Sequence, residues 1–471
     1  MSWEAITGVF ALLDSVLVAL FVVWILTLKR DPTSAIAWSV TVIFLPFLGI
    51  FLFLIFGYQN IHRPLGRKIK HKQAYQRKNY SQDSGVEPKK DINRLAKIAC
   101  GLGMASPTEG NHVHFYISGE QAYAEMLKSI SQAKRYIHLE VFILRNDQTG
   151  RAFLNQLIEK AKQGVQVRVL YDAIGSIGLR SGLLKDLKNA GGQVVSFLSL
   201  FYLWHQFRIN LRNHRKILIV DGKVAYTGGM NLGDEYAKVT KKYGRWRDTQ
   251  LKIEGPAVAE LQRLFAEDWN FAAKEDIDSF AEEIPSVGEG NVTIQVAWSG
   301  PDQEIKTIRE IYLAAIFQAN NRLWAATPYL VPDASLLDAL CVAARSGCDV
   351  RVIVPYKPDK WIPFLAGRYY WGQLMKAGVK IYQYQPGFMH AKVLLIDDWA
   401  SVGSVNLDCR SLFLNFEVTC FLESHLILRQ LEGQFHRDFE LSKLVTLSEW
   451  SRRPFAIKVL ESGLRLLTPI L

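Results

Sequence analysis

Cysteine is scarce in this chain of 471 residues, and what there is does not pair. Cys100, Cys341, Cys348, Cys409 and Cys420 are five in number, with no two in a Cys-x-x-Cys spacing. An odd, scattered set excludes a disulfide-stapled secreted domain and a cysteine-built zinc site, and it fits a reducing compartment. Charge is also thin: 21% of residues against 49% apolar ones, a balance that excludes wholesale disorder. Acids are the rarer sign, 45 against 56 Lys and Arg, which leaves a net charge of +11. At roughly 100–200 residues per domain, the length allows two to four domains with full cores.

Long apolar runs are present, but concentrated at the start. Residues 6–28 and 36–56 each exceed the roughly 20 residues a helix needs to cross a bilayer. The turn between them, with Lys29 and Arg30, is short enough to demand a hairpin. A cleaved signal peptide is a poor fit, because Glu4 stands where a positive n-region belongs and a second run follows at once. Asp14 lies inside the first run; an acid near a helix end reaching the interface is the simpler reading. Residues 61–100 then carry eleven Lys and Arg against three acids, a surplus of +8. The positive-inside rule keeps that stretch, and all that follows, on the cytoplasmic side of the membrane, with Lys29 and Arg30 outvoted. Beside a bilayer such a run attracts anionic lipid at about 1 kcal/mol per residue, although a purely topological signal has the same composition. Membrane tethering counts against a nucleic-acid partner.

The rest of the chain repeats itself. Ala161, Gly164, Val167, Arg168 and Val169 recur as Ala344, Gly347, Val350, Arg351 and Val352, each set ending a helical pattern and opening a β-branched strand. Further on, His214, Lys216 and Asp221 recur as His390, Lys392 and Asp397, with an apolar run between Lys and Asp in both. Each copy then reaches a small-residue turn and an asparagine: Gly228, Gly229, Asn231 and Gly403, Ser404, Asn406. The expected fold class is therefore α/β, two homologous halves with strands alternating with helices. The expected layout is a transmembrane hairpin over 1–60, a basic juxtamembrane linker over 61–108 with a polar stretch at 79–95, and halves over 109–285 and 286–471, joined near 274–290.

In a strand, His and Lys two apart share a face. Two such pairs with two asparagines supply cations and amide donors for phosphate oxygens, and no motif supplies carboxylates for a metal. Two histidines can divide the work of nucleophile and proton donor, which points to a phosphodiester displaced in two steps without metal or cofactor.

These residues resemble the phospholipase D superfamily and, more narrowly, the bacterial cardiolipin synthases. The resemblance rests on Asn213 to Gly222, Thr227 to Asn231, and Gly233 to Tyr236 in the first half. In the second it rests on Gly387 to Lys392, Gly403 to Ser411, and Asn415 to Glu417. It covers nearly the whole chain, including Pro46, Gly49, Phe56 and Gly57 near the start and the Pro469-Ile-Leu ending. It implies phospholipase D-type halves, each a mixed sheet flanked by helices, with the active site at their seam. It also implies a catalytic set of His214, Lys216, Asp221, His390, Lys392 and Asp397, with His214 as nucleophile and His390 as acid, then base. Lys216, Lys392, Asn231, Ser404 and Asn406 would hold phosphate oxygens. Asp221 and Asp397 count as motif residues in the family, but at the ends of buried strands their expected job is structural pairing. Asp248 and Glu417 occupy matching places in the two halves and are assigned to orient the imidazoles.

The implied activity is phosphatidyl transfer between two phosphatidylglycerol molecules, giving cardiolipin and glycerol, at the bacterial inner membrane. Anionic membrane lipid is the implied partner, and oligomeric state is not legible. A hydrolytic phospholipase D would use the same residues with water in the second step. A nucleic-acid phosphodiesterase shares the motif pair, and a non-enzymatic scaffold would need a broken motif.

Other residues stand out without a fixed role. His138 and Glu140 share a strand face, as a buried pair or part of the site; His112 and His114 look like surface residues. Aromatic clusters precede both motifs, residues 201–207 with His205 and then Trp361, Phe364, Tyr369, Tyr370 and Trp371, fitting a lipid-facing rim or core. Ala456, Val459, Leu460, Leu464 and Leu467 form a helical stripe, for a membrane interface or for packing on the core.

Overall fold

The computed structural model describes residues 3–28, 32–57, 93–179, 181–198, 211–239, 244–277, 280 and 288–468. The basic run up to residue 92, the aromatic cluster at 201–207, most of the joint at 281–287 and the Pro469-Ile-Leu ending lie outside them. The described residues fall into two units, the N-terminal helices and everything from residue 93 on.

In the N-terminal unit the first apolar run is one helix, Trp3–Thr27. The second is not. Pro46 has no N–H to give and Leu45 leaves helical geometry (φ −134°, ψ 70°), so the run splits into Pro32–Phe44 and Pro46–Leu52, followed by a π-helical turn over Phe53–Gly57. Gly49 comes so close to the preceding helix that a β-carbon there would lie 2.6 Å from the Thr41 carbonyl oxygen. Ile25, Ala35, Val42 and Phe53 form the small core of this unit. Asp14 stands mid-helix rather than near an end, beside a groove of about 480 Å³ shared with Val18, Val22, Ile43 and Pro46. Among the described residues no helix is long and apolar enough to cross a membrane.

The second unit is built on one 16-stranded mixed sheet and two separate two-stranded sheets, one pairing β8 (Arg245–Arg247) with β15 (Gly387–Met389), the other β12 (Leu330–Val331) with β18 (Leu407–Asp408). Its first half contributes β1 (Thr108–Tyr116), β2 (Tyr136–Val141), β3 (Gln166–Tyr171), β4 (Gln193–Ser196), β5 (Arg212–Asn213), β6 (Ile217–Val220), β7 (Val224–Gly228), β8 (Arg245–Arg247) and β9 (Gln250–Glu254). The second half contributes β10 (Val292–Ser299), β11 (Arg322–Ala326), β12 (Leu330–Val331), β13 (Asp349–Pro355), β14 (Lys380–Tyr384) and β15 (Gly387–Met389). It continues with β16 (Val393–Ile396), β17 (Trp399–Gly403), β18 (Leu407–Asp408), β19 (Asn415–Glu423) and β20 (Ser442–Leu444). The order β1-β9-β7-β6-β2-β3-β4 in one half is matched by β10-β19-β17-β16-β11-β13-β14 in the other, with β20 added at the far edge. The halves meet where β1 and β10 pair antiparallel.

The apolar runs after each Lys become β6 and β16, buried along their whole length. Helices cover both halves, and each half has its own core, one around Phe153, Leu157 and Leu218, the other around Leu340, Val352 and Leu394. Each such aliphatic or aromatic side chain contributes about 1.5–3 kcal/mol by leaving water.

Asp221 and Asp397 close β6 and β16 in left-handed backbone geometry (φ 54° and 45°), which aspartate tolerates better than most residues. Asp221 accepts hydrogen bonds from the backbone N–H groups of Lys134, Arg135 and Tyr136 at 2.7–2.9 Å. Asp397 does the same for Asn320, Asn321 and Arg322 at 2.8–3.0 Å. Each carboxylate staples the entry of the neighbouring strand, β2 or β11.

Two segments depart from simple expectation. Helix Arg94–Gly101, capped by Asn93 and falling within the expected linker, packs Ala99 into the core of the second half. Helix Phe455–Arg465 is held by Glu461, which pairs with Arg368 and Arg453, while Phe455, Val459 and Leu460 stay exposed. Its apolar stripe is thus turned away from the core.

Asp221→Ala removes three charge-assisted bonds and leaves a strained turn; a loss of about 2 kcal/mol in unfolding free energy is expected. Denaturant titration of the purified protein checks this, and Asp397→Ala should match it.

Candidate active site

Each histidine enters the site along a strand borrowed by the opposite half. β5, just before His214, pairs in parallel with the start of β19, and β15, just before His390, pairs in parallel with β8. The His214 N–H donates to the Phe416 carbonyl at 2.9 Å, and the His390 N–H donates to the Arg247 carbonyl at 2.8 Å. The residue following each acceptor is an acid, Glu417 or Asp248, and each acid reaches the imidazole just fixed.

His214 Nδ1–H donates to Glu417 at 3.0 Å from either carboxylate oxygen and lies 3.1 Å from the Ser404 carbonyl. His390 Nδ1–H donates to Asp248 at 2.6 Å. Every acceptor here lacks a proton to give, so Nδ1 carries the hydrogen and Nε2 of each ring keeps its lone pair. The pairing is crossed: the second half orients the first half's histidine and the first half orients the second's.

The lysines lie between. Lys216 Nζ donates to the His214 carbonyl at 2.6 Å. Lys392 donates to the His390 carbonyl, with its Nζ 3.8 Å from Asp248. All four side chains are buried, and burial sets their charge. It pulls His214 down to about 4 and His390 to about 3, with the nearby lysines adding to the effect, so both rings are neutral at neutral pH. It also brings Lys216 down to about 7 and Lys392 to about 8. Asp248 and Glu417 stay below the usual carboxylate range although burial opposes it, because the lysines and histidines favour their charge. The result is two neutral imidazoles, that of His390 with Lys392 Nζ 2.8 Å from Nδ1 and 3.2 Å from Nε2, beside two cations held at the edge of discharge.

Of the six motif residues, the structure brings His214, Lys216, His390 and Lys392 together. Asp221 and Asp397 stand apart as backbone staples. The three other expected phosphate ligands are engaged with the protein. The Asn231 amide accepts from the Ile143 N–H at 3.1 Å and donates to the Tyr236 hydroxyl at 2.8 Å. The Ser404 hydroxyl donates to Glu417 and accepts from the Val418 N–H at 3.0 Å. Asn406 bonds Asp408.

At the place corresponding to Ser404 the first half has Gly229. A β-carbon there would lie 2.0 Å from Asp248 Oδ1, so only glycine leaves room for the acid that holds His390. The difference between Gly-Gly and Gly-Ser in the two repeats follows from the acids they face.

A buried ionic frame surrounds this centre. Arg215 pairs with Asp268, and Arg247 with Asp438 at 2.7 Å. The two aspartates hold the same place in the two halves, three residues after Phe265 and Phe435, a repeat visible in the sequence. Their arginines come from different positions, and Arg215 lies 5.5 Å over the Phe416 ring. Glu140 accepts from Asn213 Nδ2 at 2.6 Å; burial and then neighbouring Asp268 push it well above the carboxylate range. Its strand neighbour His138 is a core residue, stacked on Phe265 and bonded to Gln262 at 2.9 Å. Tyr236, 3.5 Å from His390 Nδ1, and Trp246 pack beside the second imidazole. His112 and His114 are exposed. The second aromatic cluster divides, Phe364 and Trp371 entering the core and Trp361 remaining exposed. Among the described residues no group of His, Cys, Asp and Glu could hold a metal ion.

Residues 126–269 and 312–439 match the family described as cardiolipin synthase, PLD-like domain, and residues 16–57 match the phospholipase D-nuclease N-terminal family. The chain is 38% identical over 454 residues to the cardiolipin synthase of Oceanobacillus iheyensis, covering 94% of this chain and 95% of that one. With the major cardiolipin synthase of Bacillus subtilis it shares 39% over 456 residues, with the same two coverages. Among solved structures, a phosphatidylserine synthase from Haemophilus influenzae superposes with a TM-score of 0.63 at 14% identity, over 80% of this chain and all of that one, and so shares the fold.

Gly229→Ala forces Asp248 off His390 and is expected to lower kcat by about a hundredfold, a loss typical of a misplaced catalytic group; steady-state turnover measures it. Because the lysines bind anions only when charged, kcat/KM should fall as pH rises from 7 to 9. Neutral His214 persists down to about pH 4, so no acid limb from this ring is expected above pH 5. A pH–rate profile checks both limbs.

Proposed function

The chain belongs to the cardiolipin synthase family, and with that as premise we propose how this phosphatidyltransferase joins two phosphatidylglycerol molecules at its paired histidines. The observation that carries the reading is the crossed pair of neutral imidazoles, each held at Nδ1 by the opposite half's acid, with two buried lysines between them.

His214 Nε2 attacks the phosphorus of one phosphatidylglycerol. A P–N bond forms, the bond from phosphorus to the glycerol oxygen breaks, and a proton from His390 goes to the departing glycerol. His390 needs that proton although burial keeps its ring neutral. An arriving phosphodiester brings negative charge into the site, which favours protonation of both His390 and the lysines. Lys216 and Lys392 hold the phosphate oxygens as charge builds, in a site where water no longer screens them. In the second step the terminal hydroxyl of another phosphatidylglycerol gives its proton to His390 and attacks the phosphorus. The P–N bond breaks, and cardiolipin leaves with His214 restored.

In this reading Asn231 keeps Tyr236 in place beside His390, and Ser404 fixes Glu417 beneath His214. The order of the histidines comes from the resemblance, since the two halves are chemically alike. The layout of 1–60, 61–108, 109–285 and 286–471 is carried forward, with Arg94–Gly101 as a strap onto the second half. We read 1–60 as a membrane hairpin from its apolar runs and from the match over 16–57, and place the catalytic halves on the cytoplasmic side from the +8 surplus that follows.

Purified protein in vesicles of phosphatidylglycerol alone should yield cardiolipin and equimolar glycerol by mass spectrometry, and His214→Ala and His390→Ala should each abolish both. Phosphatidic acid in place of cardiolipin would make the enzyme a hydrolase; wild-type turnover in either variant would end the two-histidine mechanism.

A further inference from the structure

The register of the sheet fixes which of its ends carries the His–Lys centre. β2 pairs with β6 so that Glu140 stands opposite Ile217, the residue after Lys216. β11 pairs with β16 so that Ala326 stands opposite Val393, the residue after Lys392. The strands parallel to β2 and β11, β3 and β13, therefore end on the same side. Helix Trp361–Lys376 begins there, shortly after β13 stops at Pro355. It remains near that side as it runs. A β-carbon on Gly367 would lie 2.4 Å from the Leu330 carbonyl oxygen, and Leu330 pairs with Leu407, the residue after Asn406.

Helix Phe455–Arg465 packs on this helix. Glu461 accepts from Arg368 Nε at 2.8 Å. Arg465 donates to the Tyr369 hydroxyl at 2.8 Å, with its guanidinium 4.3 Å over the Tyr369 ring. Beyond these contacts both helices present large apolar side chains to solvent. Phe455 is 80% exposed and Leu466 73%, with Val459 and Leu460 exposed between them, and on the first helix Trp361 is 64% exposed beside Ile362. Phe455, Val459 and Leu466 recur at helical intervals, so they form one stripe, and Tyr369 with Arg465 joins it to the helix that carries Trp361. Single exposed leucines are ordinary, whereas adjoining stripes of rings and aliphatic chains mark an interaction surface.

Charge identifies what covers it. Across both helices the one acid is Glu461, and it is buried against Arg368 and Arg453. Lys357 and Lys360 precede the first stripe, and Arg452 and Lys458 adjoin the second. All four are exposed and have no acidic partner among the described residues. Two copies of this face would set like charges against each other. An apolar stripe edged by cations suits a lipid surface instead: rings and aliphatic chains enter the acyl boundary, while Lys and Arg reach the headgroup phosphates.

We propose that helices Trp361–Lys376 and Phe455–Arg465 form a docking face that lays the His–Lys end of the sheet against an anionic bilayer. This deepens the membrane reading above. A tether at the N-terminus leaves the catalytic unit free to turn, and a lipid contact on the site's own side brings the histidines to the headgroups.

Full-length protein in vesicles of phosphatidylglycerol or phosphatidylcholine, with a trace of lipid bearing a photoreactive acyl chain, tests the face. Mass spectrometry maps the crosslinked residues. Crosslinks at 361–369 and 455–467 are expected in phosphatidylglycerol and about tenfold fewer in phosphatidylcholine, with those in 1–60 alike in both. Arg452→Glu combined with Lys458→Glu should remove the preference for phosphatidylglycerol. Leu460→Glu, at an exposed position that the fold does not need, should deplete crosslinks at 455–467 and raise the apparent KM for phosphatidylglycerol in mixed vesicles, leaving kcat unchanged. Wild-type behaviour in both variants overturns the face. Crosslinks confined to 1–60 overturn it and leave the tether standing, whereas crosslinks on the two helices without any in 1–60 uphold it and overturn the hairpin. Lysine-reactive crosslinks joining two chains through Lys360 or Lys458, with no lipid on either helix, give the face to a second copy and overturn the proposal.

Discussion

One backbone hydrogen bond, made twice, governs this protein: the N–H of each motif histidine donates to a carbonyl on a strand of the other half. That bond fixes which side chain comes next on the acceptor strand, and in both halves it is an acid. The imidazole is thereby held at two points, main chain and Nδ1, by groups it does not share a half with. The long sheet, joined where β1 meets β10, keeps the two exchanges in register. A shift of one residue in either short pairing would put Phe416 or Arg247 where the acid belongs, because successive side chains alternate faces.

Holding so many ionisable groups away from water has a cost, and the frame around the site offsets it. The pairs Arg215–Asp268 and Arg247–Asp438 are buried, and removing one partner of such a pair typically costs about 3–5 kcal/mol. Both arginines adjoin residues of the site, Arg215 next to His214 and Arg247 next to Asp248. The frame therefore ties helices Ala257–Ala273 and His425–Glu440 to the positions where the chemistry is set. The same burial that weakens the charge of the lysines raises the effect of any anion that arrives, since the field of a phosphate is least screened there.

Much of this was legible in the sequence, and the reason is duplication. A repeat turns weak single motifs into a strong pair, so the α/β halves, the His–Lys centre and the orienting acids Asp248 and Glu417 could all be read from spacing and resemblance. The crossing of those acids could not. β5, β8 and β15 are two or three residues long, too short to carry a periodicity, and their partners lie in the opposite half. Asp268 and Asp438 sit at a repeated helical position and were open to the same comparison that found the histidines. Asn231 and Ser404 have protein partners that no spacing announced, because side-chain type declares donors and acceptors but not whom they serve. The break at Leu45–Pro46 was signalled by the proline, while hydropathy alone joined the run. Helix Arg94–Gly101 was hidden in a basic stretch whose composition says more about the membrane than about packing.

The crossed supply of acids also bears on when the protein becomes active. A ribosome delivers the first half, with His214 and Lys216, well before residue 417. Until Glu417 emerges and β19 takes up β5, the first histidine has neither its backbone acceptor nor its carboxylate. His390 must likewise wait for its own strand to find β8, although Asp248 is already made. The nascent chain therefore carries its first histidine unoriented, and the paired centre is complete only when the last long strand closes the sheet.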